Sequence, residues 1–327
     1  MRYRRLGKTG YLISEIGFGA WAIGGGWGEV DDAASLRALH AAADNGVTFF
    51  DTADTYGDGR SERLIAQLLR ERSGQRLYVA TKIGRRAPIE MRHYTRANFQ
   101  AWVDRCRENL GLQTLDLVQL HCLPTDAYYH PDLFGYLDEM RAGGAIAHYG
   151  VSVERVEEGL KALEYPNLAT IQVIFNVFRQ RPAERLLPLA MDRDVGIIVR
   201  VPLASGLLTG KLKRDTRFEE TDHRQYNRHG ESFDVGETFA GVDYERGLAA
   251  VERLRGLLEP DVPMSQQALR WILEHDAVST VIPGARTEAQ AAANAAASDL
   301  PSLSDAAVEG IAALYREDIA PMVHQRW

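Results

Sequence analysis

The stretch from Val47 to Gly57, VTFFDTADTYG, decides the fold. Val47–Asp51 is a continuous apolar run closed by an acid, the pattern of a strand buried on both faces of a parallel sheet. Polar residues then take over at once, and Ser61–Arg72 follows with helical character. The same order of apolar run, polar end and amphipathic stretch recurs along the chain. Strands are predicted at Ile16–Ala20, Val47–Asp51, Leu77–Lys82, Leu115–His121, His148–Val153, Thr170–Phe175, Gly196–Val201 and Ser279–Pro283. Helices are predicted at Asp31–Asn45, which opens on acidic residues and stops at Gly46, and at Ser61–Arg72, Asn98–Leu110, Pro131–Arg141, Val156–Leu163 and Glu184–Arg193. Ser265–His275 and Thr287–Ser298 flank the last strand. Eight such repeats is the count for a closed (β/α)8 TIM barrel in the α/β class.

Two segments stand outside the repeat. Met1–Glu15 reads as a hairpin turning at Lys8-Thr9-Gly10, placed to plug the barrel bottom. Lys213–Asp243 is a polar insertion after the seventh strand, carrying two histidines and several arginines, and is expected to form a lid over the site. A chain of 327 residues invites a two-domain reading, but barrels of this size form one domain, so residues 1–327 are expected to be a single unit. With 45% hydrophobic and 25% charged residues, composition supports an ordinary globular core and excludes disorder and coiled coil. The net charge of −7 leaves no electrostatic footprint for nucleic acid. No stretch approaches ~20 apolar residues and no signal-peptide pattern opens the chain, so no membrane association and a cytoplasmic location are expected. Cys106 and Cys122 lack metal-ligand spacing; reduced, structural thiols and no metal are expected.

Function in a parallel barrel collects where strands end, so the polar residues that finish strands matter most. The second strand ends in Asp51 with Tyr56 just beyond, the third in Lys82, the fourth in His121. Each alone has an ordinary reading: Asp51 as a turn residue, Tyr56 as a loop aromatic, Lys82 as a solvated strand end, His121 as a core histidine. Four titratable types on three neighbouring strand ends, each directly after a buried run, must be paired or used. A tyrosine is a poor acid near neutral pH unless a cation stabilises its phenolate. Lys82 is expected to supply that cation, Asp51 to hold the lysine, and His121 to hydrogen-bond a carbonyl oxygen. Together they would protonate the alkoxide formed as hydride reaches a carbonyl carbon.

The phrase FFDTADTYGDGRSE, the strands ending ATK and LVQLH, and the order Asp, Tyr, Lys, His resemble the aldo-keto reductase superfamily. RRLGKTGYLISEIGFGAW is similar to its N-terminal hairpin and first strand, and VRVPLASGLLTGKL and VIPGARTEAQAAAN to its last two strand segments. The resemblance spans nearly the whole chain and implies a bacterial-type, NADPH-dependent member with Asp51, Tyr56, Lys82 and His121 as catalytic tetrad.

A dinucleotide fingerprint of the GxGxxG type is not complete, because Gly17-Phe18-Gly19-Ala20-Trp21-Ala22 lacks the third glycine. Gly24 to Gly26 and Gly28 read instead as a flexible loop, with Trp21 and Trp27 as substrate-pocket walls or ordinary packing. Barrels commonly place phosphate on the last two strand–helix loops. The first of these runs Pro202-Leu203-Ala204-Ser205-Gly206-Leu207-Leu208-Thr209-Gly210-Lys211, and the resemblance assigns it to the pyrophosphate, notably through Pro202, Leu203, Ser205, Gly206 and Lys211. The resemblance also implies that Ser152 and Gln172 hold the nicotinamide carboxamide. Pro283-Gly284-Ala285-Arg286-Thr287 opens a helix, and a guanidinium there suits a 2′-phosphate, favouring NADPH over NADH. Gln290 and Asn294 share that face, and by similarity contact the phosphate and adenine. The chain departs from the family pattern at three points: Ser152-Val153 replaces Ser-Asn, Arg200 replaces an aromatic that stacks on the nicotinamide, and Ala293 replaces an acid. The expected function is reduction of aldehydes or ketones with NADPH and Tyr56 as acid. The alternatives are an NAD(P)-dependent sugar or hydroxy-compound dehydrogenase and a cofactor-sensing regulatory subunit. The substrate wall is expected from Trp21, Trp27, Cys122 to Tyr129 and the insertion; no pattern speaks to oligomeric state.

Overall fold

A computed structural model describes residues 1–25, 27–28 and 31–327. Tyr3–Arg5 (β1) and Leu12–Ser14 (β2) form an antiparallel hairpin. The barrel strands are Phe18–Gly19 (β3), Phe49–Asp51 (β4), Tyr78–Ile83 (β5), Leu115–His121 (β6), Ile146–Ser152 (β7), Leu168–Ile174 (β8), Gly196–Arg200 (β9) and Val278–Val281 (β10). Every pair of neighbours is parallel, in the order β3 to β10. Ile16 bridges Val281 and Gly19 bridges Gly284, which brings the two ends of the sheet together as a nearly closed (β/α)8 barrel. β6 keeps its predicted bounds. The others shift by one or two residues at one or both ends, where ladder bonds stop and sequence carries least information. The first strand is the largest departure, since only Phe18–Gly19 retains ladder pairing from Ile16–Ala20.

The helices are Asp32–Asp44 (α1), Arg60–Glu71 (α2), Arg96–Leu110 (α3), Pro131–Ala142 (α4), Val156–Ala162 (α5), Pro182–Asp192 (α6), His223–Tyr226 (α7), Tyr244–Arg255 (α8), Met264–Leu273 (α9), Glu288–Ala296 (α10), Asp305–Leu314 (α11) and Ala320–Val323 (α12). α7, α8, α11 and α12 lie outside the predicted set. α8 directly follows the polar insertion, and Asp243 caps it by accepting from Arg246 N–H. Its burial of Tyr244, Ala250, Val251 and Leu254 on one side is the helical periodicity present in that stretch of sequence.

The hairpin does seal the barrel bottom. Leu6 and Ile13 are fully buried against Phe49, Ala80, Leu117, Ile198 and Ile282, an apolar plug under the strands. Burying a leucine or isoleucine there stabilises by ~1.5–3 kcal/mol each. The opposite end of the interior is polar, and there the strand ends converge. Among the described residues no helix is long and apolar enough to cross a membrane.

Candidate active site

Parallel registry sets the site. Asp51 lies opposite Ala80, Lys82 opposite Gln119, His121 opposite Ser152, and Ser152 opposite Gln172. Alternation along a strand then turns Asp51, Lys82, Gln119, His121 and Gln172 to the same interior. Tyr56 arrives from the turn between β4 and α2, whose backbone is pinned by Tyr56 N–H donating to Ala53 O at 3.1 Å.

The Lys82 ammonium donates to Asp51 Oδ1, to Thr52 O at 2.9 Å and to the Tyr56 hydroxyl at 3.4 Å. Asp51 Oδ2 accepts from Gln172 Nε2 at 2.7 Å and Gln119 Nε2 at 3.1 Å. All of these side chains except Tyr56 are 2% exposed or less. Burial opposes the Lys82 charge, but Asp51 and Tyr56 outweigh it and raise the ammonium above its usual value. The Tyr56 phenol is also raised: burial dominates, and Lys82 pulls the other way without winning. In the fold as it stands, the phenol is held protonated, with the Lys82 ammonium beside it. Burial first, then Arg85, Lys82 and Arg200, keep His121 well below 6.5, so its imidazole is neutral. Its ring stands edge-on to Tyr56 at 5.8 Å between centroids.

The wall beside Tyr56 is aromatic. Trp21 stacks on it at 6.2 Å, Trp27 packs on Trp21 at 5.7 Å, and the insertion adds His223, 4.6 Å from Trp21 and 4.4 Å from Trp27, with Phe233 6.0 Å from Trp21. A Cβ at Gly24 would lie 2.8 Å from Tyr56 Cβ, so this loop packs on the tyrosine only with glycine there. Gly26 of the same predicted loop lies outside the described residues. Of the segment from Cys122 to Tyr129, Tyr128 is buried with its hydroxyl 3.3 Å from Ser152 O, while Tyr129 faces outward. Two of the insertion's arginines turn onto aromatic rings: Arg224 pairs with Asp222 and covers Trp27 and Phe218, and Arg228 lies over Phe218 and Tyr244.

The loop after β9 has left-handed backbone at Val201, Ala204, Ser205 and Gly206, a local strain of the kind found where backbone is shaped for a ligand. The Ser205 hydroxyl is committed to the insertion, donating to Glu237 O and accepting from Phe239 N–H, both at 3.0 Å. Only its backbone is left to meet an anion. Pro202 and Leu203 lead into this loop, Gly206 lies beside Arg224, and Lys211 is exposed at its end. After β10, Thr287 caps α10, Arg286 N–H donates to Gln290 Oε1 at 2.8 Å, and Asn294 Nδ2 donates to Gly284 O at 3.1 Å. The Arg286 guanidinium also reaches Trp27 O at 2.9 Å, tying this corner to the aromatic wall. These loops, a capped helix N-terminus and the pair of Ser152 and Gln172 fit a phosphate-bearing nicotinamide nucleotide.

Sequence reading missed Gln119, although it stands inside the stretch LVQLH, and missed Arg85, Glu154 and Glu237. Arg200 pairs with Glu237 and donates to Val153 O at 2.8 Å. Arg85 donates to His121 O at 3.0 Å and Glu154 at 2.8 Å. Burial pushes the Glu154 carboxyl up to about 7 despite Arg85. Cys122, Glu154 and Glu237 bring their ligand atoms within 4.8 Å of one another, but the two guanidiniums already answer both carboxylates.

The aldo/keto reductase family model matches residues 15–316. An aldo-keto reductase of Bacillus subtilis, YhdN, is 31% identical over 89% of this chain and 86% of its own length. A probable voltage-gated potassium channel subunit beta of Arabidopsis thaliana is 28% identical, with 92% of each chain covered. The solved glycerol dehydrogenase AKR11B4 of Gluconobacter oxydans superposes with a TM-score of 0.79 at 28% identity, covering 97% of this chain and 96% of that one. With the model running from the hairpin past the last barrel helix, over a barrel whose strand ends carry Asp51, Lys82 and His121, the chain belongs to the aldo/keto reductase family, an oxidoreductase family.

Proposed function

We propose that the chain reduces aldehydes or ketones to alcohols with NADPH, using Tyr56 as the acid. The observation that carries this reading is the buried line from Asp51 through Lys82 to the Tyr56 hydroxyl, with neutral His121 beside it. The bound nicotinamide supplies hydride. Tyr56, protonated by virtue of its burial, donates a proton to the carbonyl oxygen, and Lys82 stabilises the phenolate left behind. Neutral His121 donates a hydrogen bond to that oxygen and orients the carbonyl. Asp51 holds Lys82 in place. Arg286 at the start of α10 supports a 2′-phosphate and thus NADPH, with Gln290 and Asn294 nearby. The pyrophosphate is assigned to the backbone of Pro202 to Gly206 and to Lys211; Trp21 and Trp27 wall the substrate. Arg200 is held by its pairing with Glu237, in the place proposed for contact with the nicotinamide. A soluble cytoplasmic enzyme acting on a small carbonyl compound is the corresponding cellular reading.

The test is loss of NADPH absorbance on adding an aromatic aldehyde, with Tyr56→Phe in parallel. Wild type should turn over and the variant should lose ~10²–10⁴-fold while still quenching on NADPH binding. A variant with undiminished turnover removes Tyr56 as the acid. The glycerol dehydrogenase likeness favours a second reading, alcohol oxidation through the same residues in reverse. Faster NAD⁺-linked polyol oxidation than NADPH-linked aldehyde reduction would decide for it. The channel-subunit likeness supports a cofactor-sensing role only if a stable partner copurifies and turnover stays far below that of ordinary enzymes.

A further inference from the structure

We infer that Asp51 has a second task beside holding Lys82: with Gln119 as a positioning residue, it fixes the amide of Gln172 so that the carbonyl oxygen, not the nitrogen, is offered to the nicotinamide carboxamide. The inference rests on the nucleotide reading above.

A carboxylate oxygen only accepts hydrogen bonds, whereas an amide end either donates or accepts. Asp51 Oδ2 is approached by Gln172 Nε2 at 2.7 Å and Gln119 Nε2 at 3.1 Å. Gln172 Nε2 also stands 3.4 Å from Gln119 Oε1. Both hydrogens of the Gln172 amide therefore have acceptors, one on Asp51 and one on Gln119. Turning that amide over would set its oxygen against two other oxygens with no hydrogen between them. In a site where Asp51, Gln119 and Gln172 are all 2% exposed or less, water does not relieve such a clash. The register opposite Gln119 on β7 is Gly150, which puts no side chain between the two amides. A Cβ at Gly150 would lie 2.0 Å from Thr170 Oγ1, so the position stays bare.

Gln172 Oε1 accepts no hydrogen bond from any described residue. It lies in register with Ser152, which lies in register with His121, on the polar end of the interior. A group carrying an N–H donor is complementary to it; a group carrying only a carbonyl is not. Asp51 thus couples the proton side of the site to the face on which a carboxamide is held.

Two nucleotides test this: NADP⁺, whose carboxamide carries NH₂, and its 3-acetylpyridine analogue, whose methyl ketone has none. Dissociation constants are read from protein fluorescence, without turnover. Wild type is expected to bind the analogue about 10-fold more weakly, the effect of leaving one buried acceptor unpaired. Asp51→Asn puts an N–H donor at the Oδ2 position, which lets both glutamines turn over, and the two nucleotides should then bind within about 2-fold of each other. Tyr56→Phe leaves the contacts among Asp51, Gln119 and Gln172 intact and should keep the preference at about 10-fold. Gln119→Leu, which keeps Asp51 but removes the second acceptor, should lower it to about 3-fold, and serves if the Asn variant fails to fold by circular dichroism. An Asp51→Asn protein that still discriminates like wild type overturns the proposal, and unaltered discrimination in Gln119→Leu removes Gln119 from it. A wild type that binds NADP⁺ and its analogue equally also overturns it, whereas a wild type that binds neither overturns the nucleotide reading itself.

Discussion

Asp54, within the stretch that decides the fold, gives a quantitative test of how the site's surroundings are held. It is fully buried, two residues before Tyr56, and its carboxyl is pushed from 3.8 to about 7 by burial and then by Glu62, against Arg86 and Arg105. A carboxyl raised on folding binds its proton more tightly in the folded chain than in the unfolded one. Stability from this group is therefore intact at acid pH and is lost as pH climbs from about 3.8 through about 7. At ~1.4 kcal/mol per pH unit, the loss is about 1 kcal/mol at pH 4.5 and about 4 kcal/mol at pH 8. Asp54→Asn keeps the shape and removes the ionisation. Relative to wild type, the variant should gain about 3 kcal/mol more at pH 8 than at pH 4.5 in urea unfolding, other titrating groups cancelling in the difference. An increment that is flat with pH, or that falls as pH rises, refutes the reasoning.

Three further outcomes follow from particular contacts. Arg286→Ala should weaken NADPH binding ~10- to 100-fold, the range for a lost charge-assisted bond, and leave NADH within ~2-fold, as read by titration of protein fluorescence. Glu237→Gln removes the acid that answers Arg200 in a buried pair that also pins the insertion, so the unfolding free energy should drop by ~3–5 kcal/mol. His121 is held well below 6.5 and stays neutral, so kcat/KM should show no ionisation limb near that value between about pH 6 and about pH 8. A clear acid limb there, absent in His121→Gln, would overturn the neutral imidazole.

The barrel was legible because each parallel strand is apolar on both faces: Leu115–His121 carries its own boundaries in composition. Asp51, Lys82 and His121 were legible as site candidates because a titratable group directly after such a run enters the interior, where it must be paired or used. Tyr56 was placed only by its neighbours in sequence, and the weight of burial on its phenol was not legible because burial is a property of the fold, not of the phrase. Gln119 was passed over because a neutral amide in a strand carries no charge to flag it; its weight comes from an oxygen on Asp51, 68 positions away. His223 and Phe233 were hidden for the opposite reason. They sit in a stretch that reads as polar, and only the fold shows two of its arginines turned onto aromatic rings while the imidazole packs between two tryptophans.

The two ends of the barrel interior also differ in what they contribute to stability, and that difference bears on function. At the bottom, Leu6, Ile13, Phe49, Leu117 and Ile198 fill the space with side chains that leave no polar group to satisfy. At the top, Asp51, Lys82, Gln119 and Gln172 fill the space with an ion pair and two amides. Removing two opposite charges from water costs several kcal/mol per ion, and well-packed apolar residues of similar volume are often as stable or more so. Folding alone therefore does not call for this polar layer. Its members also answer one another, with Lys82 on Asp51 Oδ1 and the glutamines on Oδ2, and among the valences left over are the Tyr56 hydroxyl's proton and Gln172 Oε1. Those are a proton donor for an oxygen and an acceptor for an amide N–H, the two groups a carbonyl reductase needs at its acid and beside its nicotinamide.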